Sequence, residues 1–211
     1  MKILRSLVLV VFLSACQCSL IAELVTPSGQ AFFHDDFSDP SSGWPRTASA
    51  NGTLEYADGA YRMLVQSAGF ALWAVSGHTY GDVQIEVDAT RLAGPLFNRF
   101  GLICRFQDSD NFYAFYISSD GYYAIGKVQN GIASLLGQER MAYSSFIQQD
   151  GGANHLRFDC NGNTLKGVVN GQLIAIASDA DLSSGDAGLI TGAFDESGVE
   201  VSFDHFVVYK P

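Results

Sequence analysis

Glu86 and Asp88, set two residues apart in Glu86-Val87-Asp88-Ala89-Thr90-Arg91, are the acids in this 211-residue chain best spaced for proton chemistry. In an extended segment, alternation turns both toward one face. Glycoside hydrolysis with retention needs two carboxyl groups about 5–5.5 Å apart across the scissile bond. The next side chain on that face is Thr90, which cannot donate and recover a proton near neutral pH as a carboxyl does. The constellation is therefore incomplete, and no catalytic residue is assigned. Other chemistries find less. His34, His78, His155 and His205 lack metal-ligand spacing, and there is no Gly-x-Ser-x-Gly elbow or glycine-rich phosphate loop. Asp179-x-Asp181-x-Ser183 followed by Gly185 fails as a calcium loop, because Ser184 stands at the required glycine and Ile190 at the bidentate glutamate. No cofactor is expected beyond a rim calcium. Asp35-Asp36, Asp108-Ser109-Asp110 and Asp195-Glu196 offer oxygens for one, with solvated turns as the competing explanation.

A binding face suits the residues better. Read as four consecutive strands, the chain presents Glu86 and Asp88, then Arg105 and Gln107, then an aromatic row, then Tyr123 and Lys127. Asn111–Ser118 has rings on both sides, Phe112 and Tyr116 on one and Tyr113 and Phe115 on the other; Tyr113 is counted with the ligand side. Rings beside hydrogen-bonding charges suit a sugar, whose C–H faces stack while its hydroxyls meet polar groups. The competing reading makes Glu86, Asp88, Arg105 and Lys127 cross-strand ion pairs on a wet sheet, each contributing well under about 1 kcal/mol.

The elements that must position these side chains are strands. Of the residues 47% are hydrophobic and only 16% charged, with 22 Gly, 15 Phe and 9 Tyr, a balance that favours strands joined by tight turns over long surface helices. Asn51-Gly52, Asp58-Gly59, Asp120-Gly121, Asn130-Gly131, Asn161-Gly162 and Asn170-Gly171 punctuate apolar segments with residues that tolerate positive φ. About a dozen strands follow, with at most a short helical turn in Glu139–Gln149, so the expected fold class is an all-β antiparallel sandwich or jelly roll. Within Asp82–Leu92 the inward set is Val83, Ile85, Val87 and Ala89. In Phe100–Gln107 it is Phe100, Leu102, Cys104 and Phe106, and in His155–Cys160 it is Leu156, Phe158 and Cys160. Trp44 and Trp73 are placed in the core or at its edge.

Cys104 and Cys160 thus both face the core, and in an exported protein a disulfide between them is expected. It would close a loop of about 57 residues, for which chain entropy gives about 4 kcal/mol. The alternative is two buried thiols packing as small hydrophobes. Export is read from the first residues. Lys2 and Arg5 precede the apolar run Leu7–Leu13 and the small residues Ser14 and Ala15, the layout of a secretory signal and too short to span a bilayer. Leu13-Ser14-Ala15-Cys16 resembles the bacterial lipobox, which implies lipidation of Cys16, a membrane partner through that lipid and an envelope location. A plain signal peptide with a chance cysteine is the alternative. Residues 1–15 are then signal, 16–31 the lipidated cysteine and tether, and 32–211 one domain; Cys18 has no obvious partner.

The domain itself resembles the concanavalin A-like lectin and glucanase superfamily, close to laminin-G-like and family 16 glycoside hydrolase-like domains of bacterial envelope proteins. The resemblance rests on Asp35-Asp36-Phe37-Ser38, Gly43-Trp44, Tyr61-Arg62-Met63, Trp73-Ala74, Asp82–Val87, Gly101–Phe106, Asp110–Tyr113 and Phe203-Asp204-His205-Phe206. It implies a concanavalin-like sandwich with a concave sheet as the ligand face. Family 16 enzymes carry Glu-x-Asp-x-Glu on one strand; here Glu86 and Asp88 match, and the third place holds Thr90, or Arg91 in the spaced variant. The expected function is a surface-tethered carbohydrate-binding or adhesive module. The alternatives are an envelope protein contacting another protein, and a glycoside-processing enzyme with a non-standard acid pair. A net charge of −10, or −12 once Lys2 and Arg5 leave with the signal, offers no basic stripe and excludes nucleic acid as a partner.

Overall fold

A computed structural model of the protein describes residues 29–211; residues 1–28, with the expected signal segment, Cys16, Cys18 and most of the expected tether, lie outside the described residues. The first strands are β1 (Ala31–Asp35), β2 (Thr47–Ser49), β3 (Gly52–Ala57), β4 (Ala60–Val65) and β5 (Ala71–Val75). The longer β6 (Val83–Ala93), β7 (Asn98–Asp108), β8 (Asn111–Ile117) and β9 (Tyr122–Gln129) follow, then β10 (Ile132–Leu136) and β11 (Ala142–Tyr143). The last are β12 (Asn154–Asn161), β13 (Thr164–Val169), β14 (Gln172–Ser178), β15 (Asp186–Ala193) and β16 (Val199–Tyr209). No helix occurs among the described residues, and Glu139–Gln149, where a helical turn was allowed for, holds bends, β11 and a single non-helical turn at 145–146.

Two antiparallel sheets face each other. The nine-stranded sheet runs β14-β13-β12-β6-β16-β4-β3-β2, with β1 pairing the second half of β16; the seven-stranded sheet runs β10-β9-β8-β7-β15-β5, with β11 on β9. Tight turns join the hairpins as the dipeptides require. Asp58-Gly59, Asn130-Gly131 and Asn170-Gly171 have both residues at positive φ, the geometry whose twist matches the flanking strands.

Alternation decides what lies between the sheets. Val83, Ile85, Val87 and Ala89 of β6, and Leu156, Phe158 and Cys160 of β12, are buried against Phe100, Leu102 and Cys104 of β7 and Tyr113, Phe115 and Ile117 of β8. Trp44 belongs to this core, its Nε1 donating to Asp35 Oδ2 at 2.9 Å and its ring meeting Phe206 edge-on at 4.9 Å. The expected disulfide is present: Cys104 of the seven-stranded sheet is bonded to Cys160 of the nine-stranded one, 56 positions apart.

One inward set needs correction. Phe106 does not follow Cys104 into the core, because a bulge interrupts the β7–β8 register between Cys104 and Asp108, with Arg105 at φ 51°. A bulge adds one residue to a strand and so exchanges the faces beyond it. Arg105 therefore turns inward at the end of the sandwich, and Phe106 packs on the outer surface.

Candidate functional site

The residues expected to share one face do not. Glu86 and Asp88 lie on the outer side of the nine-stranded sheet. Arg105, Gln107, Tyr113, Tyr123 and Lys127 belong to β7, β8 and β9 of the other sheet. The expectation of four consecutive strands fails because the chain crosses from one sheet to the other between β6 and β7. On the nine-stranded sheet Gln84, Glu86 and Asp88 stand opposite Asp159, Arg157 and His155 of β12. Glu86 Oε1 accepts from Gln84 Nε2 at 2.8 Å, and Asp88 Oδ1 lies 2.8 Å from His155 Nδ1. The other ring nitrogen of His155 lies 3.5 Å from Glu86 Oε2. With a carboxylate at each nitrogen, Glu86 first and Asp88 with it, His155 is raised to about 9 against the opposing effect of burial. It is an imidazolium at neutral pH. Arg157 forks onto Asp159 of its own strand, at 2.6 and 2.9 Å. This face is a ladder of ion pairs, as the competing sequence reading had it for Glu86 and Asp88.

The remaining five are structural in their contacts. Arg105, 3% exposed, donates to the carbonyls of Leu182 and Gly162 at 2.8 Å and to Asp82 at 3.0 Å, tying β7 to the ends of the opposite sheet. Gln107 is exposed and reaches the Ser184 carbonyl at 3.3 Å. Tyr113 faces the core, not the ligand side. Its hydroxyl donates to Asp179 at 2.5 Å and accepts from Leu182 N at 3.0 Å, and burial, with that carboxylate, pushes it up to about 12. Tyr123 packs half-buried against the main core. Lys127 bonds Asp179 at 2.6 Å and Asp181 at 2.5 Å; burial pulls its ammonium down, but the two carboxylates outweigh that and hold it above its ordinary value.

The rings that do face outward are the other half of β8. Phe112 and Tyr116 join Ile103, Ala114, Ala124 and Ile190 in a second apolar cluster on the outer side of the seven-stranded sheet, with Trp73, Phe106 and Leu135 against it. Trp73 and Phe112 lie 6.3 Å apart between ring centroids, and Phe106 and Phe112 5.7 Å. The floor between them is made of small residues. Reading across the pairing, Gly101 of β7 stands between Ile190 and Tyr116, Ala114 beside Gly126, and Ala71 beside Gly192. A side chain at Gly126 would meet the Tyr116 ring at 3.2 Å, and one at Gly192 would meet Arg99 Nε at 2.5 Å. The glycines are thus the places over which Tyr116 and Arg99 lie flat. Small floor and large walls leave a trough of about 410 Å³ lined by Trp73, Arg99, Phe112, Tyr116, Leu135 and Ile190 among others.

That lining contains no Asp or Glu, so the two-carboxylate arrangement that retaining hydrolysis needs is not found on this wall. Three of the turn carboxylates considered for calcium bind their own loops: Asp35 holds Phe37 N, Asp36 holds Ser38, and Asp108 holds Asp110 N and Asn111. Among the described residues no group of three or more His, Cys, Asp or Glu is placed to hold a metal ion.

A seven-stranded sheet packed on a nine-stranded one, core between and trough outside, makes the domain a concanavalin A-like antiparallel β-sandwich. Solved structures agree. A carbohydrate-binding module, CBM66 from Bacillus subtilis, superposes with a TM-score of 0.65 at 22% identity, covering 80% of this chain and 96% of that one. A Bacillus subtilis protein of unknown function with a galectin-like fold gives 0.64 at 11% identity, over 87% and 98% of the two chains. A Bacillus licheniformis beta-glucanase gives 0.61 at 14%, over 87% and 100%. At these identities the likeness establishes the fold. No protein-family model matches the chain, and no curated protein matches it.

Trp73, Phe112, Tyr116 and Arg99 were not among the expected binding residues. Asn111–Ser118 announced one outward row of rings without saying which. For Trp73 the usable signal was the outward run of glycine and alanine on neighbouring strands, recognisable only once the strands are ordered.

Proposed function

We propose that the protein is a carbohydrate-binding module that holds its ligand in the trough on the outer face of the seven-stranded sheet. The observation that carries this is the trough itself. Half-buried Trp73 stands beside Phe112 over a floor of glycine and alanine, with the Tyr116 hydroxyl and the Arg99 guanidinium at its margin. Flat apolar rings take the C–H faces of a pyranose or furanose, and a few donors at the edge orient its hydroxyls. The presence of a carbohydrate-binding module and a glucanase among proteins of the same fold supports the reading. Attachment to the envelope through lipid on Cys16 is part of the proposal and rests on the lipobox-like Leu13-Ser14-Ala15-Cys16.

The test is a glycan array on the described domain, followed by titration of the best ligands. Trp73→Ala is expected to weaken binding about tenfold to a hundredfold, the usual cost of losing a stacked ring together with its buried area. A melting temperature within a few degrees of the parent would show that the fold survives. Failure to bind any sugar on a broad array, or undiminished binding by Trp73→Ala, would remove the trough from consideration.

A further inference from the structure

The trough is one-sided in charge. Its lining has no carboxylate and one cation turned into it, Arg99, in a chain whose net charge is −10; Lys127, also in the lining, points its ammonium to the inner side of β9. Lys127 is already committed to Asp179 and Asp181. Arg99 has no polar partner. Among the described residues it forms no ion pair and no hydrogen bond, its Nε is shut off from solvent without a partner, and its guanidinium carbon lies 5.3 Å from the centre of the Phe194 ring. Arg62, Arg105 and Arg157 also leave one nitrogen without a partner, but each meets a carboxylate with the rest of its guanidinium, which Arg99 does not. A guanidinium laid against an apolar wall, with one donor shut off and its terminal donors open and unpaired, is ready for an acceptor, and an anion with two oxygens side by side satisfies two donors at once. The backbone makes room for this placement. Arg99 stands opposite Gly192, over which its stem lies, and any side chain at 192 would collide with it.

On the other side of the Arg99–Phe194 contact, Phe97, just before β7, stacks on Phe194 at 4.5 Å; with Tyr122 and Arg140 these line a second cavity of about 450 Å³. Asp120, the one carboxylate there, accepts the Ser118 hydroxyl.

Resting on the reading of the trough as a sugar site, we propose that its ligand is a glycan bearing an anionic group, a carboxylate or a sulfate, which Arg99 receives in bidentate fashion. The acidic body of the protein repels densely charged polymers, so an acidic sugar set among neutral ones fits better than a continuous polyanion.

Three forms of one trisaccharide, made on glucose and on galactose parents, test this: the neutral sugar, the sugar with one C6 oxidised to a carboxylate, and the sugar with one 6-O-sulfate. Calorimetric titration is expected to give at least about tenfold tighter binding of a charged form than of its neutral parent, an advantage that shrinks as salt rises. Arg99→Gln should abolish the advantage, bringing charged and neutral forms to the same affinity whatever that affinity is, with a melting temperature within a few degrees of the parent because Arg99 makes no ion pair among the described residues. Arg99→Lys should keep part of it, as a charge without the fork. Gly192→Ala should reproduce the loss with the arginine still present. Whether the carboxylate or the sulfate is preferred identifies the source of the anion. Equal affinity for neutral and charged forms, or an advantage that persists in Arg99→Gln, would overturn the inference while Trp73-dependent binding left the sugar site standing. Absence of binding by all forms would overturn the inference, while the sugar site itself stands or falls on the broad array.

Discussion

His155 carries the clearest pH dependence in the protein. Its neighbours on the outer nine-stranded sheet are Glu86 and Asp88 across the strand pair, with His205 and Asp204 on the far side of Asp88. Because the folded value, about 9, lies above the ordinary 6.5, folding takes up a proton between the two. The stabilisation is therefore complete below about pH 6.5 and is lost as pH rises through about 9. His155 is 45% exposed at its side chain, so screening by water limits the effect to about 1 kcal/mol or less. That corresponds to a fall of about 2–4 °C in melting temperature between pH 6 and pH 10 that His155→Gln should lack. Parallel melting curves for the two proteins across that range would refute the assignment. At this scale the sequence was a poor guide. Glu86 and Asp88 could be seen to share a face, but the histidine between them comes from a strand some seventy positions away, and no spacing announces it.

At the scale of the strand, alternation was legible and its interruption was not. The inward residues of β6 and β12 lie where a period of two puts them, since burying one side of each strand leaves no other register. β7 keeps the pattern through Cys104 and then breaks it at Arg105, which no local motif foretells: its neighbours Cys104 and Phe106 are both apolar. The consequence is that the contacts Arg105 makes are those of a clamp between β7 and the opposite sheet. Arg105→Ala would leave the carbonyls of Leu182 and Gly162 without their donor and Asp82 without its partner. The expected cost is about 2–4 kcal/mol, moderated because Asp82 reaches water. Urea denaturation should show the midpoint falling with little change in slope. Sugar binding by the folded fraction should be untouched. A stable Arg105→Ala protein that had lost its ligand would reverse the assignment and return Arg105 to the site.

Across the whole molecule, what could not be read was which strands are neighbours. Hairpin partners follow from their turns, and β7-β8-β9 could be ordered that way. The placement of β6 between β12 and β16 depends on pairings more than sixty positions apart. That is why Glu86 and Arg105 could be assigned to one face when they belong to opposite sheets. The disulfide was legible because it asks only that two cysteines face the core, and the core is common to both sheets. Its place in the fold links it to the clamp. Cys104 meets Cys160, and the adjacent Arg105 meets Gly162, so bridge and clamp fasten the same end of β7 to the same β12–β13 turn. Replacing both cysteines by alanine is expected to cost about 2–5 kcal/mol, mainly by freeing the unfolded chain. Because the two fastenings share their anchor points, the losses should not simply add. With the bridge gone, the turn can move away from β7, and Arg105→Ala should then cost less than it does in the bridged protein. A double-mutant cycle in urea measures this directly. Strict additivity would mean that the turn is held in place by the sheet alone, with clamp and bridge acting on it independently.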